Sequence, residues 1–210
     1  PALTCGGRRL NVLSVPASLD HQTVDQLLDS AVRAPEERTM FDARHLRWVD
    51  PNGMVALLTA GSIARDRQGV MPHLELPESS DVIGYLGRMG FFQEAEKIFE
   101  FDGRASRRAG GPSDVLLEIT PIQANHNVHE VVDRVQSRAG TVLATKLGYP
   151  ASSVVQFSVI LSEVCQNILE HAESPGWVAA QAYNWARRLG RFVVVISVMD
   201  LGRGFRGSLM

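Results

Sequence analysis

One stretch without any large apolar side chain divides this 210-residue sequence into two parts. Residues 102–113 combine glycine, proline, serine and arginine, a composition that favours turns and flexible backbone and cannot pack into a core. A chain of this length forms one large domain or two of ordinary size. The sequence therefore predicts two domains, residues 1–101 and residues 114–210, joined by a linker at 102–113.

The first part alternates between strand and helix patterns. Short runs rich in β-branched and apolar residues predict strands at 10–15, 39–49 and 70–76. Apolar residues at helical spacing predict helices at 21–32, 54–64 and 82–92. This alternation favours an α/β domain in which helices cover a sheet.

The turn Asp50-Pro51-Asn52-Gly53 precedes the most apolar of these helices. Aspartate is a favourable N-cap and proline suits the first helical position, so the turn predicts a helix start. Residues Leu10 to Glu100 resemble the STAS domain, the fold of anti-sigma-factor antagonists. The resemblance centres on the run from Phe41 to Leu58, because in that family a strand ends in Asp-Ser-Ser/Thr-Gly before an apolar helix. The resemblance implies a protein-interaction domain. The phosphoacceptor position of that family is Pro51 here, so we expect no phosphoryl group on residues 50–53.

The second part begins with a strand pattern and continues with two helix patterns and two more strands. Its predicted strands are 115–120, 177–185 and 192–199, and its predicted helices are 128–147 and 150–172. Pro150 and the serines at 152 and 153 indicate the start of the second helix. The short turn at 187–190 predicts that the last two strands are antiparallel.

A polar stripe follows one side of the predicted helix 150–172. Glu163, Asn167 and His171 stand at i, i+4 and i+8, so they share a face at ~100° per residue. The opposite, apolar face contains Leu161, Val164, Cys165, Ile168, Leu169 and Ala172. Glutamate, asparagine and histidine are common surface residues, so a solvated helix face is the alternative interpretation of the stripe.

An acidic residue ends the last predicted strand. Phe192–Met199 is an apolar run that leads directly into Asp200, with Gly202 and Gly204 close behind. A carboxylate at the end of a buried strand is placed where a sheet opens to a ligand, and glycine lets the backbone approach that ligand closely. A tight turn after the strand is the alternative interpretation.

The order of these two motifs resembles the GHKL (Bergerat-fold) ATPase and kinase superfamily. The branch that it resembles most is the anti-sigma-factor serine kinases, whose first motif contains Ser-Glu-x-x-x-Asn, as in Ser162, Glu163 and Asn167. The resemblance covers roughly residues 116–209 and implies a Bergerat-type α/β sandwich. That sandwich is incomplete at its C-terminus, because the family continues into a lid, a second glycine box and further strands. No Gly-x-Gly-x-Gly segment stands elsewhere in the chain, so turnover of ATP by this chain is left open.

The resemblance also implies a role for each motif residue, with ATP and Mg²⁺ as cofactors. Glu163 would be the general base toward the group that attacks the γ-phosphate. Asn167 would offer a neutral oxygen to Mg²⁺, and Asp200 would accept a hydrogen bond from the adenine amino group. The remaining implied nucleotide-binding residues are Gly202, Gly204 and His171. His171 orients a phosphate or only caps the helix end.

Composition limits the partners and the compartment. The formal net charge of −2 gives no basic excess for nucleic acid or an anionic membrane surface. The longest apolar run, Phe192–Met199, is shorter than the ~20 residues that span a bilayer. Two cysteines suggest no disulfide framework and favour a reducing cytoplasm.

Two functions from different classes remain at this point. The first is a cytoplasmic ATP-binding regulator in partner-switching signal transduction, acting on a regulator or a sigma-factor-like protein. It would be an ATP-dependent protein serine kinase or an ATPase, and a homodimer is left open. The second is a non-catalytic protein-interaction module with a degenerate nucleotide site.

Overall fold

The computed structural model describes residues 3–5, 8–35, 37–102, 115–123, 127–134, 137, 150–172, 175–185 and 191–202. The chain divides into two compact units, Pro1–Gly111 and Pro112–Met210. The point of division lies inside segment 102–113. Both units combine helices with strands, so the predicted α/β class is confirmed.

The first unit contains a four-stranded sheet and a separate two-stranded one. The larger sheet has the order β1-β2-β4-β6, in which β2, β4 and β6 run parallel and β1 is antiparallel to β2. The smaller sheet is a parallel pair of β3 with β5. The strands are β1 (Leu3–Cys5), β2 (Arg8–Ser14), β3 (Ser18–Leu19), β4 (Arg38–Asp42), β5 (Trp48–Val49) and β6 (His73–Glu75).

Four helices belong to the first unit. They are α1 (Val24–Arg33), α2 (Pro51–Gln68), α3 (Ser80–Arg88) and α4 (Phe91–Ala95). Helix α2 is buried along most of its length and ends at Gly69, whose left-handed backbone (φ +66°) suits glycine. The core around it is rich in aromatic side chains, and the rings of Phe41 and Phe99 meet edge to face with centroids 5.4 Å apart.

Two elements of the first unit differ from the prediction. The predicted strand 39–49 is divided by a turn in which the Leu46 N–H donates to the Ala43 carbonyl oxygen at 3.0 Å. Beside this turn Arg44 donates to both carboxylate oxygens of Asp42 at 2.9 and 2.7 Å. The same contact lowers the pKa of Asp42. The predicted helix 82–92 is also divided, because Gly90 adopts a left-handed backbone with φ of +75° that interrupts helical bonding.

The second unit contains an antiparallel sheet with the order β7-β8-β9. Its elements are β7 (Val115–Ile122), α5 (127–134 as described), α6 (Ala151–Asn167), a π-helical segment (Ile168–Ala172), β8 (Gly176–Trp185) and β9 (Arg191–Asp200). The predicted antiparallel pairing of the last two strands is confirmed. The turn between them lies outside the described residues, as do residues 135, 136 and 138–147 of the predicted helix 128–147.

Helix α6 packs on one face of this sheet and forms the core of the second unit. Leu161, Cys165 and Ile168 from the helical side meet Val178 and Ala180 of β8 in one buried cluster. Burial raises the pKa of the Cys165 thiol to about 11, so this cysteine acts as a small apolar side chain, as predicted.

No described helix is at once long enough and apolar enough to cross a lipid bilayer.

Candidate functional site

Helix α6 presents Glu163 and Asn167, two residues of the polar stripe, to solvent. Its buried face is set by Val154, Leu161 and Cys165, which recur at helical spacing. Glu163 and Asn167 both lie exposed on the other side, one helical turn apart. The prediction that Val164 belongs to the buried face is wrong, since 39% of it is exposed.

The helix changes its pitch immediately after Asn167. Residues Ile168–Ala172 form a π-helical segment, in which backbone hydrogen bonds run from i to i+5. His171 lies inside it, so its backbone does not continue the α-helical i+4 spacing from Asn167. Its side chain lies outside the described part. Such π segments are rare in proteins, and those that exist are often found at functional sites. This end of the helix is therefore a candidate functional site.

Asp200 is the last residue of β9, at a strand end as the sequence predicts. Its carboxylate is exposed, and Oδ1 accepts a hydrogen bond of 2.7 Å from the backbone N–H of Gly202. The Oδ1 atom of Asp200 therefore fixes the turn after the strand, which agrees with the tight-turn interpretation. The Oδ2 atom receives no hydrogen bond from the described residues. Gly204 lies outside the described residues.

A glycine brings this strand end against the end of the helix. Gly176 is the register partner of Asp200 across β8 and β9. A Cβ on Gly176 would lie 2.8 Å from the carbonyl oxygen of Met199 and 2.9 Å from Cδ1 of Ile168, so only glycine fits. Ile168 directly follows Asn167. The end of β9 that carries Asp200 and the end of α6 that carries Asn167 are therefore neighbours.

Sequence reasoning did not single out Gly176 as a site residue. The local signal was Pro175-Gly176 between a helix pattern and a strand pattern, which indicates only a turn. Whether the Asn167 and Asp200 side chains face one cleft stays a prediction.

Asn167 and Glu163 are the two residues of the polar stripe whose oxygen-bearing side chains α6 exposes. No three histidine, cysteine, aspartate or glutamate side chains cluster closely enough to hold a metal ion among the residues that the structure describes. The amide oxygen of Asn167 and the carboxylate of Glu163 are hard donors of the kind that Mg²⁺ prefers. Magnesium commonly binds one or two such groups together with substrate phosphates, and this donor set suits that mode.

The turn at Asp50 in the first unit is a helix start, as predicted. Asp50 caps α2 by accepting the Gly53 N–H at 2.9 Å, and Pro51 takes the first helical position. Burial, together with the charge of Asp20, raises the pKa of Asp50. A Cβ at Gly53 would lie 2.1 Å from the carbonyl oxygen of Leu19, so β3 packs directly against the first turn of α2.

The nearest hydroxyl along α2 is turned inward. Thr59 is buried, and its Oγ1 donates to the carbonyl oxygen of Val55 at 2.9 Å. A phosphoacceptor displaced from Pro51 to Thr59 would therefore require local opening of the helix.

No family model, curated protein or solved structure matches this chain. The site has to be judged by its own geometry.

Proposed function

We propose that this chain is an ATP-binding regulatory protein of the GHKL type, similar to anti-sigma-factor serine kinases. The second unit binds ATP with Mg²⁺ and acts as a protein serine kinase or an ATPase. The first unit is a STAS-like module that contacts a regulator or a sigma-factor-like partner in the cytoplasm.

The observation that supports this proposal is that the end of helix α6 lies beside the end of strand β9. The contact between Ile168 and Gly176 sets the end of α6 beside the end of β9. Each end carries polar side chains with no part in the core, namely Asn167 and Glu163 on the helix and Asp200 on the strand. A solvated helix surface does not require the helix end that carries its polar residues to lie beside a strand end that carries an acid.

Each of these residues suits one step of nucleotide chemistry. Asn167 would offer a neutral oxygen to Mg²⁺ bound together with the nucleotide phosphates. The Oδ2 atom of Asp200 has room for one donor, such as the exocyclic amino group of adenine. The Glu163 carboxylate lies one turn before Asn167 and would accept the proton of the attacking hydroxyl or water.

The test is titration calorimetry with Mg-ATP on the parent chain and on two variants, paired with a turnover assay. Asp200→Asn replaces one acceptor oxygen with a donor and should weaken binding roughly tenfold to a hundredfold, the effect of a polar mismatch of about 1–3 kcal/mol. Glu163→Gln keeps the shape and removes the base, so binding should survive while turnover falls. The matched control is Asp133→Asn, an exposed carboxylate on α5, which should leave binding unchanged.

Three results separate the functions. Absence of binding by the parent chain eliminates the kinase and ATPase functions. Binding that Asp200→Asn leaves intact removes Asp200 from the site. Binding without turnover, unaffected by Glu163→Gln, identifies ATP as a structural ligand.

One observation favours the alternative, a non-catalytic interaction module. Four β-branched residues of α6 are exposed beside the polar stripe: Val155 by 57%, Val159 by 55%, Ile160 by 63% and Val164 by 39%. Apolar surface grouped in this way marks a contact surface more often than a solvated one. If ATP does not bind, α6 is a protein-docking helix whose polar stripe sets the orientation of the partner.

A further inference from the structure

The first turn of α2 contains a dipeptide whose side chain and backbone can react with each other. Asn52 is followed by Gly53, and it is the one asparagine of the chain that has glycine after it. In such a pair the backbone nitrogen of glycine can attack the side-chain carbonyl carbon of asparagine, because glycine has no Cβ to hinder the approach. The other asparagines precede valine, histidine, isoleucine or tryptophan, whose side chains hinder the same attack.

The packing of the first unit requires the glycine of this pair. A Cβ at position 53 would lie 2.1 Å from the carbonyl oxygen of Leu19. The same oxygen accepts the Asp50 N–H at 3.3 Å, so β3 and the start of α2 are held together at this point. A larger residue at position 53 would separate them. The chain therefore cannot protect Asn52 by placing a bulky residue after it.

The cap of α2 protects the pair instead. The Gly53 N–H, which has to lose its proton in the reaction, donates to Oδ1 of Asp50 at 2.9 Å. Asn52 has helical backbone, from which the Gly53 nitrogen cannot reach the side-chain carbon of Asn52 without rotation of ψ. Asn52 is partly exposed, so water can reach it. What prevents the reaction is therefore the folded first turn and not burial of the asparagine.

We propose that Asn52 is a deamidation site and that the capping carboxylate of Asp50 controls the rate of the reaction. When the cap opens, the Gly53 nitrogen loses its proton and forms a bond to Cγ of Asn52, and the C–N bond of the side-chain amide breaks. The amide nitrogen takes up the proton and leaves as ammonia, and a five-membered succinimide ring remains. Water then adds to either carbonyl carbon of the ring and gives aspartate or isoaspartate at position 52.

Both products change the start of α2 permanently. Aspartate at position 52 adds a negative charge in the first turn, where the helix dipole stabilises it. Isoaspartate adds a methylene group to the main chain, which shifts Gly53 away from the Asp50 cap. The turn has proline at position 51 and no hydroxyl residue between 50 and 53. It can therefore gain a negative charge without a kinase.

The test follows the chemical change at residue 52 by peptide mass spectrometry during incubation in a mildly alkaline buffer. Asp50→Ala removes the cap and should accelerate the reaction about fivefold, the factor that corresponds to the ~1 kcal/mol of a helix cap. Asp50→Asn keeps a capping oxygen, so its reaction should be no faster than that of the parent chain. In urea all three chains should react alike and faster than when folded, because opening of the cap no longer limits the rate.

A further variant, Gly61→Ala, separates the cap from general stability. It destabilises the same helix by overpacking but leaves the bond between Asp50 and Gly53 intact, so the rate at Asn52 should stay at the parent value. Far-ultraviolet circular dichroism checks that each variant is folded.

Three results would overturn the proposal. The first is an equal rate for folded Asp50→Ala and Asp50→Asn, and the second is an equal acceleration by Gly61→Ala. The third is a reaction in urea that is no faster at Asn52 than at Asn11, which precedes valine. None of these readouts involves a nucleotide or a protein partner, so they are independent of the test for ATP binding.

Discussion

At the scale of single residues, Asp50 is subject to two opposed effects. Its carboxylate caps α2 by accepting the Gly53 N–H, and a capping residue of this kind stabilises a helix by ~1 kcal/mol. The same carboxylate is buried and close to the charge of Asp20, which raises its pKa above the usual 3.8. The capping hydrogen bond of Asp50 therefore stabilises the folded state, whereas the negative charge of its carboxylate destabilises it.

Asp50→Asn should stabilise the chain more at neutral pH than in acid. The native state holds the Asp50 proton more tightly than the unfolded state, so stability falls as the pH rises from about 3.8 through the raised pKa of Asp50. Asparagine caps as well as aspartate and carries no charge, so it removes this loss. The measurement is the free energy of unfolding in urea from pH 4 to pH 7. Asp50→Ala should lose ~1 kcal/mol relative to Asp50→Asn. A gain from Asp50→Asn that does not grow with pH would contradict the expectation.

The side chain of Gln181 also lowers the stability of the folded chain, because one of its buried polar atoms is unsatisfied. It is buried in the middle of β8, and its Nε2 donates to the carbonyl oxygen of Ala182 at 2.8 Å. Its Oε1 has no hydrogen-bond partner in the described part of the chain. A buried acceptor in this state costs about 1–3 kcal/mol.

Gln181→Met should therefore raise stability by ~1 kcal/mol, because methionine keeps the length of the side chain and removes the unpaired oxygen. Thermal and urea unfolding measure the change. Gln156→Met is the control at an exposed position of α6, where little effect is expected. A loss of stability at position 181 would indicate that a bound water satisfies Oε1.

At the scale of elements, the packing around a helix decides whether replacing one of its glycines stabilises or destabilises the chain. A Cβ on Gly61 of α2 would lie 2.1 Å from Cζ of Phe99, whose ring is buried against Phe41. A Cβ on Gly84 of α3 would meet only the end of the Arg88 side chain, at 3.5 Å. The two glycines are alike in propensity but differ in the space around them.

Identical substitutions at these glycines should therefore have opposite signs. Gly84→Ala should stabilise the chain by ~0.5–1 kcal/mol through helix propensity. Gly61→Ala should destabilise it by ~1–3 kcal/mol, because the added methyl overpacks a closed core. Circular dichroism melting compares them directly. Stabilisation by Gly61→Ala would show that propensity outweighs packing in α2, and destabilisation by Gly84→Ala would contradict the expectation for α3.

At the scale of the whole molecule, each described sheet lies within one of the two compact units. Every strand of the β1-β2-β4-β6 sheet belongs to Pro1–Gly111, and every strand of the β7-β8-β9 sheet belongs to Pro112–Met210. Two contacts near the C-terminal end of the first unit join it to the sheet. The ring of Phe99 packs on Phe41, and the Leu74 N–H donates to the Glu100 carbonyl oxygen.

A fragment of residues 1–111 should therefore fold alone, with a cooperative thermal transition. A fragment of residues 1–96 lacks Phe99 and Glu100, and it should lose several kcal/mol and its cooperativity. Calorimetry of both fragments tests this expectation. Absence of a transition in fragment 1–111 would show that the first unit depends on the second.

The sequence by itself determined the features that depend on neighbouring residues. The spacing of apolar residues predicted α2, β8 and β9, and the chemistry of Asp50-Pro51 predicted the start of α2. The same periodicity placed Glu163 and Asn167 on the exposed side of α6. These inferences succeed because helical and strand periods are local properties of the chain.

The tertiary structure alone decided what depends on contacts between distant residues. The contact of Ile168 with Gly176, which sets the end of α6 beside the end of β9, depends on how α6 lies on the sheet. The change to a π-helical segment after Asn167 and the exposure of Val164 have no signature in the spacing of residues. Periodicity defines which faces of an element are apolar, but the packing partner defines how much of each face is covered and where two elements meet.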